Sequence, residues 1–82
     1  MTLEQLSPSN DALVVSLDGG HAVRSHLNTL GIHVGDHLVV IQRAPFRGPV
    51  LVEVHGSRVA LGRGVARKIE VELGGRRQPL VD

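Results

Sequence analysis

Histidines are the residues of this sequence best able to do chemistry, because five occur in 82 residues that contain no cysteine. They are His21, His26, His33, His37 and His55. Without thiolates, a tight metal site needs three or four imidazole and carboxylate ligands brought together by the fold. His33 and His37 span Gly35, a predicted turn, while His21 and His26 would point about 140° apart on a helix. We therefore predict no metal site and no cofactor, and at most weak, adventitious binding of divalent metals by surface histidines.

Nucleophilic catalysis has candidate residues but no recognisable setting. Ser16, Ser25 and Ser57 lie near histidines in the sequence, yet none stands in a nucleophile elbow. The run Asp18-Gly19-Gly20 precedes a predicted helix, but it lacks the Lys-Ser/Thr ending of a phosphate loop, and Asp18 would repel an anion. We expect Asp18 to be an N-cap or turn residue. We also expect that the protein is not an enzyme.

Charge is distributed unevenly, which bears on the kind of partner. Residues 1–42 sum to −3 and residues 43–82 to +4, although the whole chain carries only +1. The basic side chains ahead of the C-terminal segment are Arg43, Arg47, Arg58, Arg63, Arg67 and Lys68. Single-stranded nucleic acids bind to proteins that stack aromatic side chains under the bases, and Phe46 is the only aromatic residue here. A protein partner is therefore favoured over a nucleic acid.

Hydropathy predicts a cytoplasmic location. The longest apolar runs, Leu38 to Ile41 and Ala12 to Val15, are four residues each, whereas a helix needs about 20 to cross a bilayer. The N-terminal residues lack the positive start and apolar run of a secretory signal. The absence of cysteine is also compatible with a reducing compartment. Contact with a membrane is expected only indirectly, through a partner.

The apolar pattern predicts a mainly β fold: a small five-stranded barrel with one helix inserted after the first strand. Strands are predicted over 11–17, 37–43, 50–54, 59–61 and 69–73, a helix over 21–30 and a helical turn over 65–67. The run Ala12 to Val15 predicts a strand buried on both faces, and the fully apolar run Leu38 to Ile41 places its strand near the sheet centre. Residues 1–73 are predicted to form the domain and residues 74–82 a flexible tail.

Glycines and prolines lie between these elements, and we interpret them as structural residues. The predicted cap and turn residues are Gly31, Gly35, Gly48, Pro49 and Gly56. Gly31 follows the last periodic residue of the helix, where a glycine in the left-handed conformation closes the final carbonyls.

Three of these stretches, taken in order, resemble the FeoA family. They are the run from Leu30 to Asp36, the pair Ala44-Pro45 with Gly48-Pro49-Val50, and the run from Val54 to Leu61. Val34 departs from the family pattern, in which proline is common, and Gly62-Arg63-Gly64-Val65 replaces a better helix former. The resemblance covers roughly Leu3 to Val71.

The resemblance implies a fold and a role. FeoA-like domains have an SH3-like barrel and act as accessories or regulators of the ferrous iron transporter FeoB, whose cytoplasmic part contains a GTP-hydrolysing domain. That cytoplasmic region is the partner the resemblance implies. The alternative function is direct metal binding, as an iron sensor or carrier, suggested by the histidines.

Phe46 is the predicted anchor of the partner-binding surface, with Arg43 and Arg47 beside it. Arg24 and Arg58 are further candidate contacts. The alternative is that Phe46 folds back over the barrel end. A homodimer also stays open, because small barrels have exposed strand edges.

Overall fold

The fold is built on one antiparallel sheet, described for residues 1–73 by a computed structural model. The strands are β1 (Asp11–Leu17), β2 (His37–Arg43), β3 (Val50–Val54), β4 (Ser57–Leu61) and β5 (Ile69–Leu73). Helix α1 (Gly20–Thr29) follows β1, the four-residue helix α2 (Arg63–Ala66) precedes β5, and a 3-10 turn covers Leu3–Gln5. The predicted flexible tail, 74–82, lies outside the described residues.

The sheet order is β4-β3-β2-β1-β5, so β2 is the central strand, as predicted. Register shifts between Val14 and Ser16 in β1, and between Val40 and Gln42 in β2, interrupt the ladders. Such bulges increase local twist and bend a strand, which allows a short sheet to wrap around its own core.

The core is purely aliphatic within residues 1–73, and no polar side chain is buried there. Its members are Leu3, Leu6, Ala12, Val14, Leu17, Leu27, Ile32, Leu38, Val40, Val50, Val52, Val54, Leu61, Ala66, Ile69 and Val71. Burial alternates along β1 and along the first half of β2, where Leu38 and Val40 are buried and Val39 and Ile41 are half-buried. The prediction that β1 is buried on both faces was wrong, because Leu13 and Val15 are only half-buried.

Three local predictions also need correction. The N-cap of α1 is Gly19, not Asp18, whose backbone N–H donates to the Lys68 carbonyl at 2.7 Å. Strand β4 begins at Ser57 rather than Val59, because His55 and Gly56 both have positive φ and form a two-residue turn. Helix α2 starts two residues before the predicted helical turn. None of the helices within residues 1–73 is long and apolar enough to span a membrane.

Candidate partner-binding surface

The loop between β2 and β3, residues 44–49, holds its backbone in an uncommon shape. Phe46 and Arg47 both have positive φ, 56° and 59°. The left-handed region costs a residue with a Cβ about 1–2 kcal/mol, so two in succession need stabilising contacts elsewhere. The Ala44 N–H donates to the Pro49 carbonyl and the Gly48 N–H to the Pro45 carbonyl, each at 3.0 Å. These bonds close the loop at its base.

Arg63 holds the same loop from α2. Its Nε donates to the Gly48 carbonyl at 2.9 Å and its Nη2 to the Ala44 carbonyl at 3.3 Å. The planar guanidinium can direct two N–H donors along fixed directions, which suits two carbonyls of one turn. Arg63 is therefore a positioning residue for the loop. The sequence presents it only as one of several basic side chains.

Gly48 is required for close approach rather than for an unusual φ. A Cβ at this position would lie 2.7 Å from the Ala44 Cβ and 3.1 Å from the Pro45 carbonyl oxygen. Any other residue would push the two arms of the loop apart.

Phe46 projects from this loop into solvent, with 98% of its surface exposed. The alternative in which it folds back over the barrel end is thus not observed. An aromatic side chain on a loop held by four hydrogen bonds can contact a partner with little loss of backbone conformational entropy.

A shallow apolar groove of about 130 Å³ lies at the foot of the loop. Its walls come from the loop base and three strands: Gln42, Ala44, Pro49, Leu51 and Ala60. Strand register explains the juxtaposition, because Gln42 pairs with Leu51 and Leu51 with Ala60 across β2, β3 and β4. Directly opposed residues place their side chains on one face of a sheet.

The structure separates the predicted arginine contacts. Arg43 is half-buried and donates to the Leu6 carbonyl at 3.0 Å, so it ties β2 to the N-terminal turn. Arg24 lies on the exposed side of α1, which packs against β1. Arg47 is exposed beside Phe46, and Arg58 is exposed on β4, 4.0 Å from the Glu53 carboxylate. Of these four arginines, Arg47 and Arg58 combine an exposed side chain with a place in the loop and strands that form the groove.

A second polar cluster joins two turns elsewhere in the fold. The Asp36 Oδ2 accepts the backbone N–H of His33 at 2.8 Å, and Oδ1 lies 2.9 Å from the His55 Nε2. Burial raises the Asp36 pKa, but the His33 N–H and the His55 imidazole outweigh it, so this pKa lies below its usual value. From the sequence we considered His33 together with His37. The contact between Asp36 and His55 was not predicted, because these two residues are distant along the chain.

This cluster does not gather metal ligands. Each imidazole faces an oxygen of the carboxylate rather than a shared empty point, with the His33 Nδ1 3.5 Å from Oδ2. Within residues 1–73, no three His, Asp or Glu side chains form a group that could hold an ion.

The remaining predicted turn residues take well-defined places. Gly31, at φ +91°, is the C′ residue of α1: its N–H donates to the Asn28 carbonyl, and the Ile32 N–H donates to that of Leu27. This bond pair is a Schellman motif, completed by the buried side chains of Leu27 and Ile32. Gly35 and Gly56 also have positive φ in their turns.

The fold and this surface define a small SH3-like barrel that presents a rigid loop, an apolar groove and a basic rim. A family model described as "FeoA domain" matches residues 1–73. The chain belongs to the FeoA family, which confirms the resemblance drawn from its turn residues.

Known relatives and structures agree with this assignment. A protein of Methanocaldococcus jannaschii named "Putative Fe(2+) transport protein A" is 39% identical over 62 residues, 76% of this chain and 73% of the relative. A Porphyromonas gingivalis "Fe(2+) transport protein A/Fe(2+) transporter FeoB fusion protein" is 36% identical over 73 residues. That match spans 89% of this chain and 9% of the fusion protein.

The crystal structure of Stenotrophomonas maltophilia FeoA complexed with zinc, described as a prokaryotic SH3 domain protein, superposes with a TM-score of 0.75. It is 30% identical, with 88% of this chain and 89% of that one covered. The predicted fold class, mainly β and SH3-like, is therefore confirmed.

Proposed function

We propose that this protein is a cytoplasmic accessory of ferrous iron transport that binds the cytoplasmic region of a FeoB-type transporter. It does so by contact alone and catalyses no reaction. The loop 44–49, the groove at its foot and Arg47 form the binding surface.

The observation that carries this proposal is a fully exposed Phe46 on a loop that Arg63 and the loop's own hydrogen bonds hold in a costly backbone conformation. A side chain that contributes nothing to the core, on a backbone that is held in place, is well suited to be an interface anchor. The fusion protein of Porphyromonas gingivalis supports the choice of partner. Tethering two modules in one chain raises their effective concentration, which is useful when the modules contact each other.

A binding titration against the purified cytoplasmic domain of the transporter tests the proposal. We expect Phe46→Ala to weaken binding by about tenfold or more, the effect of losing an interface anchor. Arg47→Ala should weaken it less, as expected for a rim charge. Arg24→Ala, on α1, is the matched control and should bind like the wild type.

Two results would contradict this reading. Failure of the wild type to bind the domain would overturn the function, and unchanged binding by Phe46→Ala and Arg47→Ala would overturn the surface. Stoichiometric Fe(II) binding that is lost on changing His33 or His55 to alanine would instead favour the metal-binding alternative.

A further inference from the structure

Strand β4 is an edge of the sheet, and its backbone is available for pairing. Val54 and Ser57 flank the two-residue turn and form a hydrogen-bonded pair, so Val52 with Val59 and Val50 with Leu61 are the next such pairs. The N–H and C=O groups of the intervening residues, Arg58 and Ala60, therefore point away from β3. Within residues 1–73 no strand lies on that side.

The free edge adjoins the apolar groove. Ala60 belongs to both the free edge and the groove, because its backbone faces the edge while its methyl group forms one wall of the groove. A methyl group is short, so the groove is open towards the edge. A strand added beside β4 would place a side chain opposite Ala60 at this opening.

Arg58 lies two residues away on the same face as Ala60, since side chains of a strand alternate. The Glu53 carboxylate is 4.0 Å from its Nε atom, and the Arg58 side chain is 64% exposed. Such a contact contributes little and is readily exchanged for a better one. Arg47, in the adjoining loop, forms no ion pair with another described residue. The rim of the groove therefore favours a negatively charged occupant.

A second copy of this chain fits this surface poorly. Two β4 strands paired antiparallel would bring the Arg58 side chains of both copies to one face of the joint sheet, and each copy would add its Arg47. Like charges opposed across strands are destabilising. The chemistry favours a segment with acidic residues over self-association.

We infer that the occupant is an extended segment of the partner protein that pairs antiparallel with β4, with an apolar side chain opposite Ala60 and an acidic one opposite Arg58. Because the strands run antiparallel, the apolar residue comes first and the acidic residue follows two positions later. The backbone supplies affinity and the groove and Arg58 supply specificity, as in other strand-addition complexes. This inference rests on the proposed function only for the identity of the partner.

A short peptide probes the site directly, because the protein contains no Trp or Tyr and a peptide Trp reports binding by fluorescence. The probe is acetyl-Ser-Thr-Trp-Thr-Glu-Thr-Ser-amide, with the full 82-residue protein as titrant. We expect saturable binding with a Kd of about 0.1–1 mM, as for a weak single-segment contact. The composition-matched peptide acetyl-Ser-Thr-Thr-Trp-Glu-Thr-Ser-amide puts the two side chains on opposite faces and should not bind.

Backbone pairing is tested on the peptide, which leaves the protein intact. N-methylation of the Trp nitrogen removes the donor to the Ala60 carbonyl and should abolish binding. N-methylation of the Thr between Trp and Glu removes an N–H that faces away from β4, so binding should persist. Equal effects of the two modifications would overturn strand addition.

On the protein, Arg58→Glu should weaken binding of the first peptide by at least about tenfold. Arg24→Glu makes the same change of charge and should leave that binding unaffected.

Displacement of the peptide by oligo(dT) at equal concentration would show a nucleic-acid site and overturn the inference. If the transporter domain binds but the peptide does not, this inference fails and the proposed function stands. If the peptide binds and the transporter domain does not, the proposed function fails and this inference stands.

Discussion

The two turns that flank β3 both contain non-glycine residues with positive φ, and they use this strain differently. At the C-terminal end, His55 has positive φ, and its imidazole lies 2.9 Å from the Asp36 carboxylate, which links two turns of the barrel. At the N-terminal end, Phe46 and Arg47 have positive φ, and Phe46 contacts almost nothing. The turn at His55 contributes a side chain to the contacts that hold the barrel together. The loop at Phe46 is itself held by such contacts, and the Phe46 side chain remains exposed. Strain in a site stabilised from outside is a reasonable mark of function.

The largest effect is expected at Arg63, which holds the loop at the N-terminal end of β3. Arg63→Ala leaves the Ala44 and Gly48 carbonyls without their charged donor, and charge-assisted hydrogen bonds contribute about 1.5–3 kcal/mol each. The groups are only partly buried, so we expect a loss of about 2 kcal/mol in the free energy of unfolding. Urea denaturation followed by far-UV circular dichroism measures it. Arg67→Ala, whose partner Glu4 is 3.9 Å away, is the control and should change little. Equal losses would show that the loop does not depend on Arg63.

Acid should weaken the contact between Asp36 and His55 at the C-terminal end of β3. The Asp36 pKa is lowered in the folded state, so its contribution is fully present above the unfolded value of about 3.9 and is lost as pH falls through the folded value. The wild type should therefore lose stability below about pH 4 more steeply than Asp36→Asn. Denaturation midpoints from pH 6 down to pH 2 test this. Parallel curves for the two proteins would contradict the role assigned to Asp36.

A smaller effect is expected for His55→Asn. Asparagine tolerates positive φ, so the substitution removes the imidazole contact without adding backbone strain. Because the His55 side chain is 64% exposed, the loss should be at most about 1 kcal/mol. His26→Asn on the exposed side of α1 controls for the change in residue type. A loss at His55 no greater than at His26 would remove the distinction drawn between the two ends.

The smallest and most telling change in stability is expected at Phe46. Phe46→Gly removes left-handed strain and loses no packing, while glycine adds entropy to the unfolded chain. We expect the free energy of unfolding to stay the same or rise by about 0.5 kcal/mol, although partner binding falls. Thermal unfolding measures the stability and titration against the transporter domain measures the binding, both on one preparation of the protein. A loss above 1 kcal/mol would mean that Phe46 is part of the fold.

Much of the fold was predictable because the signals for it are local. The alternating aliphatic residues of β3, the period of α1 and the glycine at its C′ position act within a few residues of the chain. Strand boundaries failed where a turn was shorter than expected, as at His55 and Gly56. The prediction that β1 is buried on both faces failed because an apolar run does not specify what covers it.

The site was predictable only in part, for the same reason. The sequence alone determined the barrel, its family and the presence of an aromatic residue in a proline-flanked loop. Tertiary structure decided that Arg63 holds this loop, that Arg43 turns to the Leu6 carbonyl, that Asp36 meets His55 and that Ala60 joins a groove to a free edge. Each of these contacts joins residues at least 15 positions apart, or depends on strand register. Neither composition nor period encodes which distant side chains the folded sheet brings together.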